Sequence, residues 1–142
     1  MRFMIIRRAD EETEAGVMPS KELLAAMMKY NEELVNAGVM KQGEGLQPSA
    51  KGARVKFSGG KPMVIDGPFA EVKELIAGFS MFEVSSKEEA IEWAKRWPSI
   101  DAGGNLELEI RQVFEAKDFG PEFTPELQEQ ENKLRQKIES NH

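Results

Sequence analysis

Apolar positions divide the chain into short blocks separated by polar turns. Phe3, Met4, Ile5 and Ile6 form a compact run closed by Arg7 and Arg8, which predicts a buried strand over 2–7. Residues 9–18 are acidic and lack apolar periodicity, so a loop is expected there. After Pro19-Ser20, Leu23, Met27, Leu34 and Val35 recur at helical spacing, flanked by Met28 and Tyr30. Asn36-Ala37-Gly38 ends that helix, with Gly38 as its left-handed cap residue. A glycine-interrupted strand over 39–47 and a connector over 48–52 lead into a hairpin. Its arms are 53–57 and 62–65, turning at Ser58-Gly59-Gly60-Lys61. Residues 70–75 suggest one helical turn, and 76–84 a strand. Ser86-Lys87-Glu88-Glu89 has the form of a capping box and starts a helix with the stripe Ala90, Ile91, Ala94 and Trp97, stopped by Pro98. In 106–114, Leu106, Leu108 and Ile110 alternate with Glu107, Glu109 and Arg111, the clearest strand pattern in the chain. A last helix starts at Thr124-Pro125-Glu126 with a thin stripe, Leu127, Leu134 and Ile138.

This order predicts an α+β fold. Its long helices each bridge strands, as in a split βαβ unit, giving an antiparallel sheet with helices on one face, an inserted hairpin and a C-terminal helix. The expected division is a domain over 1–119 and a helical extension over 120–142. The second sheet face still needs cover. A homodimer supplies it most economically; the tail helix or solvent is the alternative.

Composition narrows the function classes. The 142-residue chain has no cysteine, so disulfides, thiolate metal sites and a cysteine nucleophile are excluded. Net charge is −6 and the basic residues are scattered apart from Lys51, Arg54, Lys56 and Lys61, which argues against nucleic-acid binding. The first apolar run is too short for a signal core or membrane span, so a cytoplasmic protein without membrane contact is expected. Gly43-Glu44-Gly45 and Ser58-Gly59-Gly60-Lys61-Pro62 fit neither a Walker nor a dinucleotide pattern, and no cofactor is expected. His142 is the only histidine and the last residue, expected to be disordered, so a histidine triad or zinc site inside the fold is not expected. No metal site is expected, since the carboxylate spacing matches no known metal loop.

The most distinctive local feature is Asp66-Gly67-Pro68-Phe69. An aspartate in a turn commonly accepts from the N–H two residues on, and here that residue is Pro68, which has none. The Asp66 carboxylate therefore has spare capacity to face a pocket, although a purely structural turn remains open. With Glu71 it forms the candidate catalytic pair, as general acid or base, against the alternative of a solvated helix start. Candidate ligand-binding residues are Tyr30, Glu44, Phe69 and Arg111; the competing role for Tyr30 is core packing with its hydroxyl at the rim.

The run Asp66-Gly67-Pro68-Phe69-Ala70-Glu71-Val72-Lys73-Glu74 resembles the signature of the DGPF-domain family, a branch of the YCII-like proteins. Glu44-Gly45-Leu46, Pro48-Ser49-Ala50, Gly52-Ala53-Arg54-Val55, Glu88-Glu89-Ala90-Ile91-Glu92-Trp93-Ala94 and the strand over 107–113 extend the likeness to about Phe119. The resemblance implies a ferredoxin-like domain forming a dimeric α/β barrel. It also implies a regulatory or stress context, since DGPF members often occur beside sigma-factor genes. YCII-like proteins are associated with a His–Asp pair, the histidine on the first helix and the aspartate before a proline after the second. Here Met27 and Met28 occupy that part of the helix and Trp97 precedes Pro98, so that pair is not carried over. Three functions follow as expectations: a dimer binding a small molecule in a cleft near Asp66, an enzyme using Asp66 on a small organic substrate, or a protein-interaction module.

Overall fold

The computed structural model describes residues 1–141; His142, and with it the expectation of a disordered terminal histidine, lies outside the described residues. The chain forms two compact units, Met1–Gln112 and a second from Val113 onward.

The first unit is built on a four-stranded antiparallel sheet. Its strands are β1 (Arg2–Arg8), β2 (Met40–Gly45), β5 (Ile76–Glu83) and β6 (Leu108–Gln112), in the order β2-β5-β1-β6. In β1, burial alternates, with Phe3, Ile5 and Arg7 inward, as strand geometry requires. Phe3 pairs with Phe82 across β5, and Ile5 with Ile110 across β6, so one face is apolar at its centre. Helices α2 (Lys21–Asn36) and α3 (Lys87–Ala94) cover that face through Tyr30, Leu34 and Ala90. Met4, Ile6, Phe79 and Met81 fall on the opposite face by alternation and are half-buried.

Local signals set the helix ends. Ser20 Oγ accepts the Leu23 N–H at 3.1 Å, and Gly38 follows α2 at φ +74°, where a side chain would be strained. Ser86 caps α3 by accepting from the Glu89 N–H, but the Glu89 carboxylate returns to the N–H and hydroxyl of Ser85 rather than to Ser86. Those two bonds hold Glu89 below the usual carboxylate pKa range.

The expected loop over 9–18 needs correction. It contains a short helix, α1 (Glu11–Glu14), closed by a capping box in which Asp10 and Thr13 exchange backbone and side-chain bonds. A four-residue polar helix leaves no apolar period to detect; its caps hold it. The expected strand over 106–114 contracts to Leu108–Gln112. Between β2 and β5, strands β3 (Ala53–Ser58) and β4 (Lys61–Asp66) form a separate two-stranded sheet, exposed along its whole length.

In the second unit, α4 (Pro125–Ser140) starts at the Thr124 cap with Pro125 in its first turn. Before it, Phe119 stacks on Phe114 with centroids 4.9 Å apart and meets Phe123 edge-on at 5.4 Å. Among the described residues no helix is long and apolar enough to cross a membrane.

Candidate functional site

The inward register of β1 turns an arginine toward the core. Arg7 follows Phe3 and Ile5 on the helix-covered face and is buried. An arginine there requires a partner, because an unpaired buried charge is costly. Asp101 supplies it from the loop after α3. Arg7 Nη2 donates to Asp101 Oδ1 at 2.7 Å and Nε to Oδ2 at 3.3 Å, a forked geometry suited to a carboxylate. The Trp97 indole N–H donates to the same carboxylate at 2.8 Å. Asp101 is followed by three left-handed residues, Ala102, Gly103 and Gly104.

A second carboxylate reaches the pair from Asp10, the cap of α1. Arg7 Nη1 donates to Asp10 Oδ2 at 3.2 Å and to the Arg8 carbonyl at 2.8 Å. Burial works against the charge on Arg7, but the hydrogen bonds and charges of Asp101, then Asp10, outweigh it and hold its pKa above the ordinary value. Partial burial likewise opposes the Asp10 charge. The Thr13 N–H and Arg7 prevail and hold its carboxyl below the usual range. Among the described residues, four of the five guanidinium N–H groups of Arg7 are thus engaged, leaving one on Nη2.

This cluster walls a cavity of about 650 Å³ on the helix-covered side of the sheet. Leu23, Met27, Met40 and Trp97 give it apolar walls, and Asp10, Thr13 and Asn31 add polar groups. Gly43 and Ser80 lie opposite each other in the β2–β5 register. A Cβ at Gly43 would stand 3.5 Å from Met40 Sδ and 3.7 Å from Ser80 Oγ, so the absent side chain leaves room there. Ser80 is buried and lines the cavity.

Of the six residues singled out from sequence, only Glu44 borders this cavity. Tyr30 stands in the core, its hydroxyl donating to the Trp93 carbonyl at 2.7 Å and its ring edge-on to Trp97 at 5.7 Å; burial pushes its pKa up to about 12. It supports the tryptophan from behind. Asp66 and Glu71 are exposed, so water serves the spare capacity that Pro68 leaves on the Asp66 carboxylate. Arg111 is exposed and paired with Glu109 at 3.2 Å. Phe69 lies under the Arg54 guanidinium at 3.8 Å.

The Asp66 turn is a brace. The Gly67 N–H donates to the Gly52 carbonyl, and a Cβ on Gly67 would meet the Ser49 carbonyl oxygen at 1.8 Å, so only glycine fits. The Phe69 N–H donates to Ser49 Oγ at 3.0 Å. Ser49 in turn donates its N–H and hydroxyl to the Glu14 carboxylate, at 3.0 and 2.6 Å.

Sequence reasoning passed over Arg7, Asp10, Ser80 and Asp101. One signal was available: Arg7 is in phase with Phe3 and Ile5, and an inward arginine demands an acid. Its partner lies 94 residues away, beyond any local pattern. Among the described residues no group of three histidine, cysteine, aspartate or glutamate side chains is placed to hold a metal ion.

The YCII-related domain matches residues 1–117. The chain belongs to the YCII-related family. The uncharacterized protein R00369 of Rhizobium meliloti (strain 1021) is 36% identical over 75 residues, which span 53% of this YCII-related chain and 57% of that protein. Among solved structures, 5-chloro-2-hydroxyhydroquinone dehydrochlorinase from Burkholderia phenoliruptrix AC1100, in complex with 2,5-dihydroxybenzoquinone, overlaps 83% of this chain and 98% of its own. That overlap has 18% identity and a TM-score of 0.44.

Proposed function

We propose that this YCII-related protein is a homodimer that binds a small organic molecule in the cavity beside Arg7 and Asp101. One observation carries the reading: a buried, forked ion pair forms part of the wall of a cavity of about 650 Å³ that is lined by both apolar and polar side chains. That volume is in the range that holds metabolite-sized ligands, and such sites pair apolar walls with a few fixed polar groups. The polar groups define the ligand. Arg7 has one N–H to give and Ser80 a rotatable hydroxyl, which suits a carbonyl or hydroxyl oxygen on an apolar or planar body. Asp10, held ionised by Thr13 and Arg7, is a weak base near neutral pH, which favours binding over proton abstraction.

The finer assignments belong to the same reading. The sheet order β2-β5-β1-β6, with two covering helices, supports a ferredoxin-like domain, and the run from Asp66 to Glu74 supports the DGPF branch. The half-buried residues Met4, Ile6, Phe79 and Met81 on the second sheet face support a second copy in a dimeric barrel. A cytoplasmic setting fits the absence of cysteine.

A thermal-shift screen of carbonyl and hydroxyl metabolites tests the site. A ligand of the native state raises Tm. Gly43→Val, which projects methyl groups toward Met40 and Ser80, should abolish the shift, whereas Asp66→Ala should preserve it. A shift that survives Gly43→Val and is lost in Asp66→Ala would move the site to the turn.

A further inference from the structure

Half of the chain's eight methionines border one cavity. Met18, Met27, Met28 and Met40 all line it, and with no cysteine present the methionine thioethers are the only sulfur in the protein. The four stand at two depths. Met27 and Met40 pack against the core, whereas Met18 is 74% exposed and Met28 62%. Helix geometry makes this division on α2. Leu23 and Met27 lie one turn apart and are half-buried; the neighbouring pair, Leu24 and Met28, is exposed at the cavity border. Met18 joins the same border from the chain just before the Ser20 cap.

A thioether is an adaptable apolar wall, and it is also an oxidisable one. Its sulfur lone pair attacks the terminal oxygen of a hydroperoxide, and the O–O bond breaks. The sulfur is oxidised to a sulfoxide and the peroxide is reduced. The proton on the transferred oxygen passes to the leaving oxygen, which departs as water or an alcohol. The sulfoxide is polar where the thioether was apolar. At positions 18 and 28 water serves it, so the fold tolerates it. A ligand seated across the mouth must strip that water, and a polar group buried without a partner is costly. Met63, on β4, is 53% exposed and does not border the cavity, so it is a built-in control.

We propose that Met18 and Met28 are modification sites, at which oxidation by a hydroperoxide lowers the affinity of the cavity for apolar ligands. The inference rests on the cavity as a binding site and not on the homodimer. The neutral fluorophore N-phenyl-1-naphthylamine serves as the probe. Peptide mass spectrometry locates each added oxygen after limited treatment with hydrogen peroxide. Oxidation at Met18 and Met28 should weaken probe binding by about fivefold or more. Met63→Leu should lose as much as wild type. Met18→Leu/Met28→Leu keeps an apolar rim of similar volume and should bind the probe equally before and after treatment. Met18→Gln/Met28→Gln, with an unchanged circular dichroism spectrum, should bind as weakly as oxidised wild type with no peroxide added. Methionine sulfoxide reductases acting on both epimers should restore the treated wild type. Unchanged affinity once both sulfurs carry oxygen overturns the inference alone. So does an equal loss in the leucine pair, wild-type affinity in the glutamine pair, or affinity that stays low after reduction. A probe that fails to bind the untreated protein overturns the cavity reading and this inference with it.

Discussion

Arg7 and Asp66 each sit at or near the end of a β-strand, and the two positions differ in nearly everything else. Arg7 is turned into the protein, forked onto Asp101, touched by Asp10 and set in a cavity wall. Asp66 is exposed at the end of β4, in a turn whose fixed parts are its neighbours, Gly67 and Phe69. The conspicuous motif thus braces two segments, and the inconspicuous arginine borders the proposed site. A rare local sequence reports tight local geometry, and tight geometry is as often needed for joining segments as for chemistry.

The comparison breaks most readily at the ion pair. Arg7→Met strands the Asp101 charge in a buried position, and removal of one partner of such a pair costs about 3–5 kcal/mol. Asp66→Ala should cost no more than about 0.5 kcal/mol, as exposed substitutions do. Urea unfolding of both variants measures the gap; equal losses would erase the distinction. The double variant Arg7→Met/Asp101→Leu should recover much of the loss, because an apolar pair needs no counter-charge.

Gly67→Ala tests the brace itself. Its added methyl meets backbone at Ser49, which cannot rotate away, and the expected loss is about 2–3 kcal/mol. A neutral Gly67→Ala would remove the structural explanation of the motif.

The acid limb of stability gives a smaller effect. Asp10 has a pKa below its ordinary value in the folded protein, so the unfolded chain takes up its proton first as pH falls. The contribution is present above the ordinary carboxylate pKa of about 4 and is lost as pH drops through the folded value. Asp10→Asn should therefore flatten the decline of the urea midpoint below about pH 4; a decline as steep as wild type would assign it to other carboxylates.

The smallest change concerns the loop that presents Asp101. Ala102 has φ +52°, a left-handed conformation that costs a residue with a Cβ roughly 1 kcal/mol. Ala102→Gly relieves it against glycine's larger entropy cost, for a net gain of about 0.5 kcal/mol. A loss of stability on that change would mean that the alanine methyl makes a contact worth more than the strain.

Much of the fold was legible from sequence. The apolar run of β1 and the helix starts at Ser20, Ser86 and Thr124 report local rules, and the structure follows them. Helix α1 was not legible, because four polar residues held by a capping box have no apolar face. Tyr30 was placed correctly on its helix, but its burial depended on Trp93 and Trp97 from another element. The candidate site was the least legible part. Its defining pair joins residues 7 and 101, and only the inward phase of Arg7 hinted that such a pair must exist.

Helix α1 and its cap residue have a consequence that reaches both regions. Asp10 holds Arg7, and four residues later Glu14 holds Ser49, whose hydroxyl oxygen takes the Phe69 amide. One turn of backbone therefore ties the cavity to the hairpin's base. Any ligand that draws Arg7 away from Asp10 loosens the near end of this tether, and the far end is a single amide proton. Deuterium uptake at Phe69 becomes a remote gauge of occupancy in a cavity that Phe69 does not border.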